Sequence, residues 1–234
     1  MTARDLLTAL TWPDALALTA LFAAWWLIGW RIEHPGARVS VSVLMADYRR
    51  EWMQRFVTRN PRVFDASIMG NLRQGTAFFA SACMIAIGGG LALVGNPERV
   101  ADLTRDLALE ASARTIELKV LVVLLFLANA FLKFVWAHRL FGYCTILMAA
   151  VPNDAEDPLA YHRAGQAADI NIAAARSFNR AMRSVYFALA ALAWLLGAAA
   201  LGMAVLATGF VLWRREFASA SRRVMLQREA GQGG

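Results

Sequence analysis

Four long apolar stretches, near residues 12–31, 74–95, 118–138 and 185–213, dominate this 234-residue chain, and each is long enough to cross a bilayer as a helix. A hydrocarbon core about 30 Å thick needs roughly 20 apolar residues at about 1.5 Å rise each, and a helix satisfies its own backbone polar groups where water cannot reach. The chain is 59% hydrophobic, against about 45–50% for soluble domains, so the excess apolar surface calls for lipid. The run Val120 to Ala128 carries no polar stripe that would let it face water. The expected fold class is therefore all-α: a polytopic membrane protein with four transmembrane helices and amphipathic interfacial helices, forming a single membrane domain over 1–234. Asp14 lies near the first apolar run, which ends in Trp25, Trp26 and Trp30 without a small-residue cleavage site. That run is expected to stay attached as the first span.

Nearly all positive charge is arginine, Lys119 and Lys133 being the only lysines, and the formal net charge of +7 suits contact with anionic headgroups of the lipid bilayer. No nucleic acid partner is expected. No recognition motif accompanies the charge, and Gly88-Gly89-Gly90 lies inside a hydrophobic span, where close helix packing explains it better than a phosphate loop. Cys83 and Cys144 sit far apart in apolar surroundings and read as small buried hydrophobes.

The first connection, about 32–73, begins with a turn at His34-Pro35-Gly36. In the segment that follows, Met45, Tyr48, Trp52 and Phe56 recur at helical spacing, with Arg49, Arg50, Arg55 and Arg59 on the other faces. This is an amphipathic helix, lying either on the membrane surface or against the protein's own spans, with its arginines toward headgroups. Asn60-Pro61 ends it, and Asp65 is placed to cap the next helix. Asn96-Pro97 signals a short helix over 97–115. The third apolar run continues to Val151, too long for one perpendicular span, so the helix is tilted or projects from the membrane. The turn-rich VPNDAEDP ends it, and its spacing does not match a calcium loop. Residues 158–184 read as helix, leading without a strong breaker into the last span.

A degenerate parallel repeat, 12–96 against 117–213, is suggested by LMA at 44–46 and 147–149, Arg73 and Arg176, His34 and His138, and Asp65 and Asp169. Four crossings place both termini on one side. The arginines of the two basic connections favour those as cytoplasmic, which puts both termini outside. Arg214, Arg215, Arg222, Arg223 and Arg228, directly after the fourth span, disagree with that orientation.

Lys133 is the sharpest polar feature, within the third run and four residues after Asn129, on the same helical face. Ionisable groups at membrane depth face a protein interior, a partner or water. Asn129, Lys133 and Arg139 either line a polar cavity or anion pathway, with His138 and Arg73 as further candidates, or the cations snorkel to headgroups near the span's end. Gly197 and Gly202, among alanines of the last span, offer a smooth helix-packing surface. His34, His138 and His162 show no metal-binding helical spacing, so neither a metal nor a cofactor is expected. Hydrolytic motifs such as GxSxG and HExxH are missing from the sequence, and no catalytic residues are assigned.

In YRREWMQRFVTRNPRVFDASIMGNLRQGTAFFAS and KFVWAHRLFGYCTILMAA, and in its four hydrophobic spans, the chain resembles the bacterial and plant membrane-protein family catalogued as domain of unknown function 599. The resemblance covers about residues 10–215. It implies a multi-pass helical protein and carries no reaction, ligand or catalytic residue. The expected function is a non-enzymatic multi-pass protein of the bacterial inner (cell) membrane, acting as a homo-oligomer or an accessory subunit of a larger membrane complex. The rival expectation is a channel or transporter using the Asn129, Lys133 and Arg139 face.

Overall fold

A computed structural model describes residues 11–34, 36–96 and 113–230. The described residues are 87% helical with no strand. The elements are α1 (Trp12–Glu33), α2 (Val41–Thr58), α3 (Val63–Val94), α4 (Ala113–Ala149), α5 (Ala160–Leu192), a 3₁₀ turn (Ala193–Leu196), α6 (Ala198–Phe217) and α7 (Ala220–Ala230). Four helical stretches are long and apolar enough to cross a membrane: Trp12–Glu33, Val63–Val94, Arg114–Ala149 and Ala198–Gln227. The helix expected over 97–115 falls outside the described residues except at its last positions, where α4 has begun.

The chain divides into two compact units, and the long helices contribute to both. Unit one comprises residues 1–31, 82–130 and 182–214; unit two comprises 32–81, 131–181 and 215–234. In unit one the core gathers Leu21 of α1, Phe126 of α4, Phe187 and Ala191 of α5, Trp194, and Leu201 and Val205 of α6. Phe126 anchors it, stacking on Phe22 and Phe187 and meeting Trp25 edge-on. Of the three consecutive glycines, Gly90 alone makes a close approach: a Cβ there would lie 2.5 Å from a Leu124 methyl, whereas Gly88 and Gly89 face open space.

Unit one also holds the largest departure from the sequence reading. The fourth apolar stretch, expected as one helix over 185–213, is interrupted. Alanine-rich α5 ends at Leu192, a single 3₁₀ turn follows, and Gly197 adopts φ 112°, a conformation that costs a residue with a Cβ roughly 1–2 kcal/mol. The reversal lets α6 fold back into the same core as the end of α5. Gly197 is thus a chain-reversal residue, placed between α5 and α6 and not within the last helix. At Gly202 an added Cβ would meet nothing within 4 Å, so no helix among the described residues approaches closely there.

In unit two, Met53, Phe56 and Val57 of α2 pack with Met69 of α3, Phe141 and Cys144 of α4, and Ala160, Ala164 and Ala167 of α5. The apolar face of α2 is therefore covered by the protein's own helices. Ser40 caps α2, accepting from the Val43 amide at 3.3 Å while donating to the Ile32 carbonyl at 2.7 Å. An aromatic trio, Phe79, Phe134 and Phe178, ties α3, α4 and α5, with Phe79 and Phe134 stacked at 5.5 Å. The α4 helix extends unbroken for 37 residues, about 55 Å at helical rise, well beyond a hydrocarbon core.

The C-terminal segment also belongs to unit two, against the expected orientation. Glu216 accepts from the Ser42 amide and hydroxyl, both at 3.0 Å, Arg222 donates to the Val39 carbonyl at 2.9 Å, and the Tyr48 hydroxyl donates to the Met225 carbonyl at 3.3 Å. These bonds fasten the arginine-rich tail to α2, in the first basic connection. Tail and first connection are therefore in direct contact. The repeat gains no support from the fold: Asp65 is fully buried and Asp169 exposed, while the first LMA opens α2 and the second closes α4.

Candidate functional site

Each unit holds a cluster of polar groups that a membrane-resident helical protein has to account for. In unit one, Asp14 occupies the first turn of α1 and is 8% exposed. Its carboxylate accepts from the Trp194 indole at 2.7 Å, the Thr11 hydroxyl at 2.6 Å and the Thr11 amide at 3.2 Å. Carboxylate charge suits a helix N-terminus, and these three donors replace the water that burial removes. Lys119 of α4, 6% exposed, stands 5.6 Å over the Trp194 ring and is electrostatically coupled to Asp14. A cation, an anion and the indole between them thus meet beside the 3₁₀ turn.

Sequence reading missed this cluster. Two signals pointed to it: a carboxylate inside an apolar run demands a partner, and a stretch of roughly 29 apolar residues is longer than one crossing requires, which hints at a break. No local pattern pairs Asp14 with Trp194.

The expected polar pathway is distributed differently. In unit one, Asn129 donates to the Ser184 hydroxyl at 2.6 Å, joining α4 to α5. Lys133 belongs to unit two, is half-buried, and its carbonyl accepts from Ser177 at 2.9 Å. Arg139 is exposed and donates through Nε to the Tyr143 hydroxyl at 2.9 Å, one turn along. His138 Nδ1 lies 3.3 Å from the Arg73 carbonyl, so α4 and α3 meet there. The structure brings His138 to the Arg73 backbone and ties Asn129 to Ser184, while Arg139 bonds along its own helix.

The second cluster is the buried centre of unit two. Arg49, expected to face headgroups, turns inward and its guanidinium donates to the fully buried Asn171 side-chain oxygen. Burial pushes the Arg49 guanidinium below its ordinary value. The Asn171 amide nitrogen lies 3.4 Å from the Met69 sulfur and 3.5 Å from Cys144 Sγ. Asp65, expected as a cap, lies in the first turn of α3 and is a bridge: one oxygen accepts from the Trp52 indole at 2.6 Å and from Arg59 at 2.5 Å. The reason is reach, since α2 and α3 are joined by a short turn that brings both donors over the helix start. Elsewhere in unit two, Arg180 grips Glu33 through two nitrogens.

Among the described residues, no group of three or more histidine, cysteine or acidic side chains is arranged to hold a metal ion. A family model described as protein of unknown function, DUF599, matches residues 16–221. Searches of curated proteins and of solved structures return no match.

Proposed function

We propose, for a chain that belongs to the DUF599 family of unknown function, that it is a non-enzymatic integral protein of the bacterial inner membrane, working as a self-associating unit or as an accessory subunit of a larger assembly. The observation that carries this reading is the use made of polar groups within the apolar helices. Asp14 binds Trp194 and Thr11, Asn129 binds Ser184, and Ser177 binds the Lys133 carbonyl. Such groups serve to hold helices together, and the outward face of α6 leaves Leu206, Phe210 and the open backbone at Gly202 for a neighbour.

Orientation follows from charge. The connection at 32–73, the one that joins α4 to α5 and the C-terminal tail are cytoplasmic, under the rule that arginine-rich segments stay inside. The amino terminus is then outside and the carboxyl terminus inside, and α5 supplies a crossing of its own. Its sequence is too polar to face lipid, but between Ile170 and Ala191 only Arg176, Arg180 and Leu189 are exposed, so neighbouring helices solvate it.

Native mass spectrometry of the detergent-extracted chain tests this reading. The expected result is a multimer or a co-purifying subunit, with multimers depleted by Gly202→Leu. A bare monomer under mild extraction, together with solute flux in liposomes that falls on Lys133→Met, would replace it with the polar pathway.

A further inference from the structure

The apolar part of α3, Gly75 to Val94, is roughly 20 residues or 30 Å long, and that of α4, Val120 to Ala137, about 27 Å, so each matches one hydrocarbon thickness. Arg73 and Arg139 stand just past the same ends of these two stretches, and the 3.3 Å contact of His138 with the Arg73 carbonyl places Arg139, the next residue of α4, on the helix beside Arg73. Both arginines are exposed. Arg139 commits only Nε, to Tyr143, leaving its two terminal nitrogens open. Among the described residues no acidic side chain pairs with either. On the membrane side of this pair the exposed surface is apolar, with Phe78 of α3 and Leu132, Val135 and Trp136 of α4.

From these positions we infer that Arg73 and Arg139 form a binding site for the phosphate of an anionic phospholipid, whose acyl chains lie along Phe78 and Leu132. Two planar guanidinium donors match phosphate oxygens, and the exposed Tyr143 and Trp136 sit at the headgroup level that amphipathic rings favour. A zwitterionic lipid would bring a compensating ammonium, for which the described site offers no acidic partner. The site rests on the membrane reading but does not depend on self-association or on which leaflet it faces.

The test is native mass spectrometry of the full chain in detergent, supplied with phosphatidylglycerol or with phosphatidylcholine. Phosphatidylglycerol adducts should survive activation preferentially, and each of Arg73→Gln and Arg139→Gln should lower their retention about fivefold. Arg55→Gln, an exposed arginine elsewhere on unit two, should leave retention unchanged. Equal retention by the double variant and the native chain would overturn the assignment, as would equal retention of the two lipids. Displacement of the lipid by inorganic phosphate would assign the site to a free anion and also overturn it. Because the adducts are counted on the monomer, a chain that never associates would sink the proposed function and leave this result intact.

Discussion

The indole nitrogen of Trp194 donates to the carboxylate of Asp14 at 2.7 Å, across 180 positions of sequence. One bond therefore fixes the start of the first helix to the 3₁₀ turn that precedes the chain reversal. Asp14→Asn should lower stability by about 1–2 kcal/mol, within the range for buried charge-assisted bonds. Thermal unfolding in detergent checks it, and Trp194→Phe added to Asp14→Asn should cost little more than the larger single change.

At Gly197 the φ of 112° admits a Cβ only under strain. Gly197→Ala should cost about 1–2 kcal/mol and Gly197→Val more. Open space around the residue rules out a clash as the cause, so a neutral Gly197→Ala in the same unfolding assay would show that the reversal relaxes into an ordinary helix.

The Asn129 to Ser184 bond, at 2.6 Å, links α4 and α5 inside unit one. Interhelical bonds of this kind average about 0.6 kcal/mol in membranes and reach about 1.7. A double-mutant cycle with Asn129→Ala and Ser184→Ala should return a coupling in that range. Zero coupling would mean that the amide serves a path or ligand and not the helix pair.

Orientation is open to direct labelling, since Cys83 and Cys144 are both buried. A cysteine replacing Arg223, exposed on α7, should react with a membrane-impermeant thiol reagent only from the cytoplasmic side. A cysteine replacing Asn96, after the second span, should react only from outside. The opposite pattern would invert the assignment.

Much of the fold was legible because hydropathy is a strong, local signal. The first three spans were placed from run length alone, and the structure extends them mainly where polar residues continue the same helix, as α3 does from Val63 to Arg73. Ser40, Asp65 and Arg49 mark where reading by local pattern stops. The helical wheel of α2 is visible in sequence, but whether Arg49 meets solvent or Asn171, 122 residues away, depends on which helix lies beside it. The break at Gly197 was hidden for a related reason: alanine and leucine flank it on both sides, and glycine reads equally as a packing residue or a turn. The candidate site was partly legible. His138 and Arg73 were singled out by charge, and the ring of one meets the backbone carbonyl of the other, whereas Asp14 and Lys119 had no local pattern joining them.

The enclosure of α5 between Ile170 and Ala191 bears on how the protein is made. Because α1 to α4 precede it on the ribosome, most of the surfaces that sheathe its polar flank already exist when it emerges. A helix too hydrophilic to partition on its own merits can then be recruited by its predecessors, with α6 following to close the remaining side.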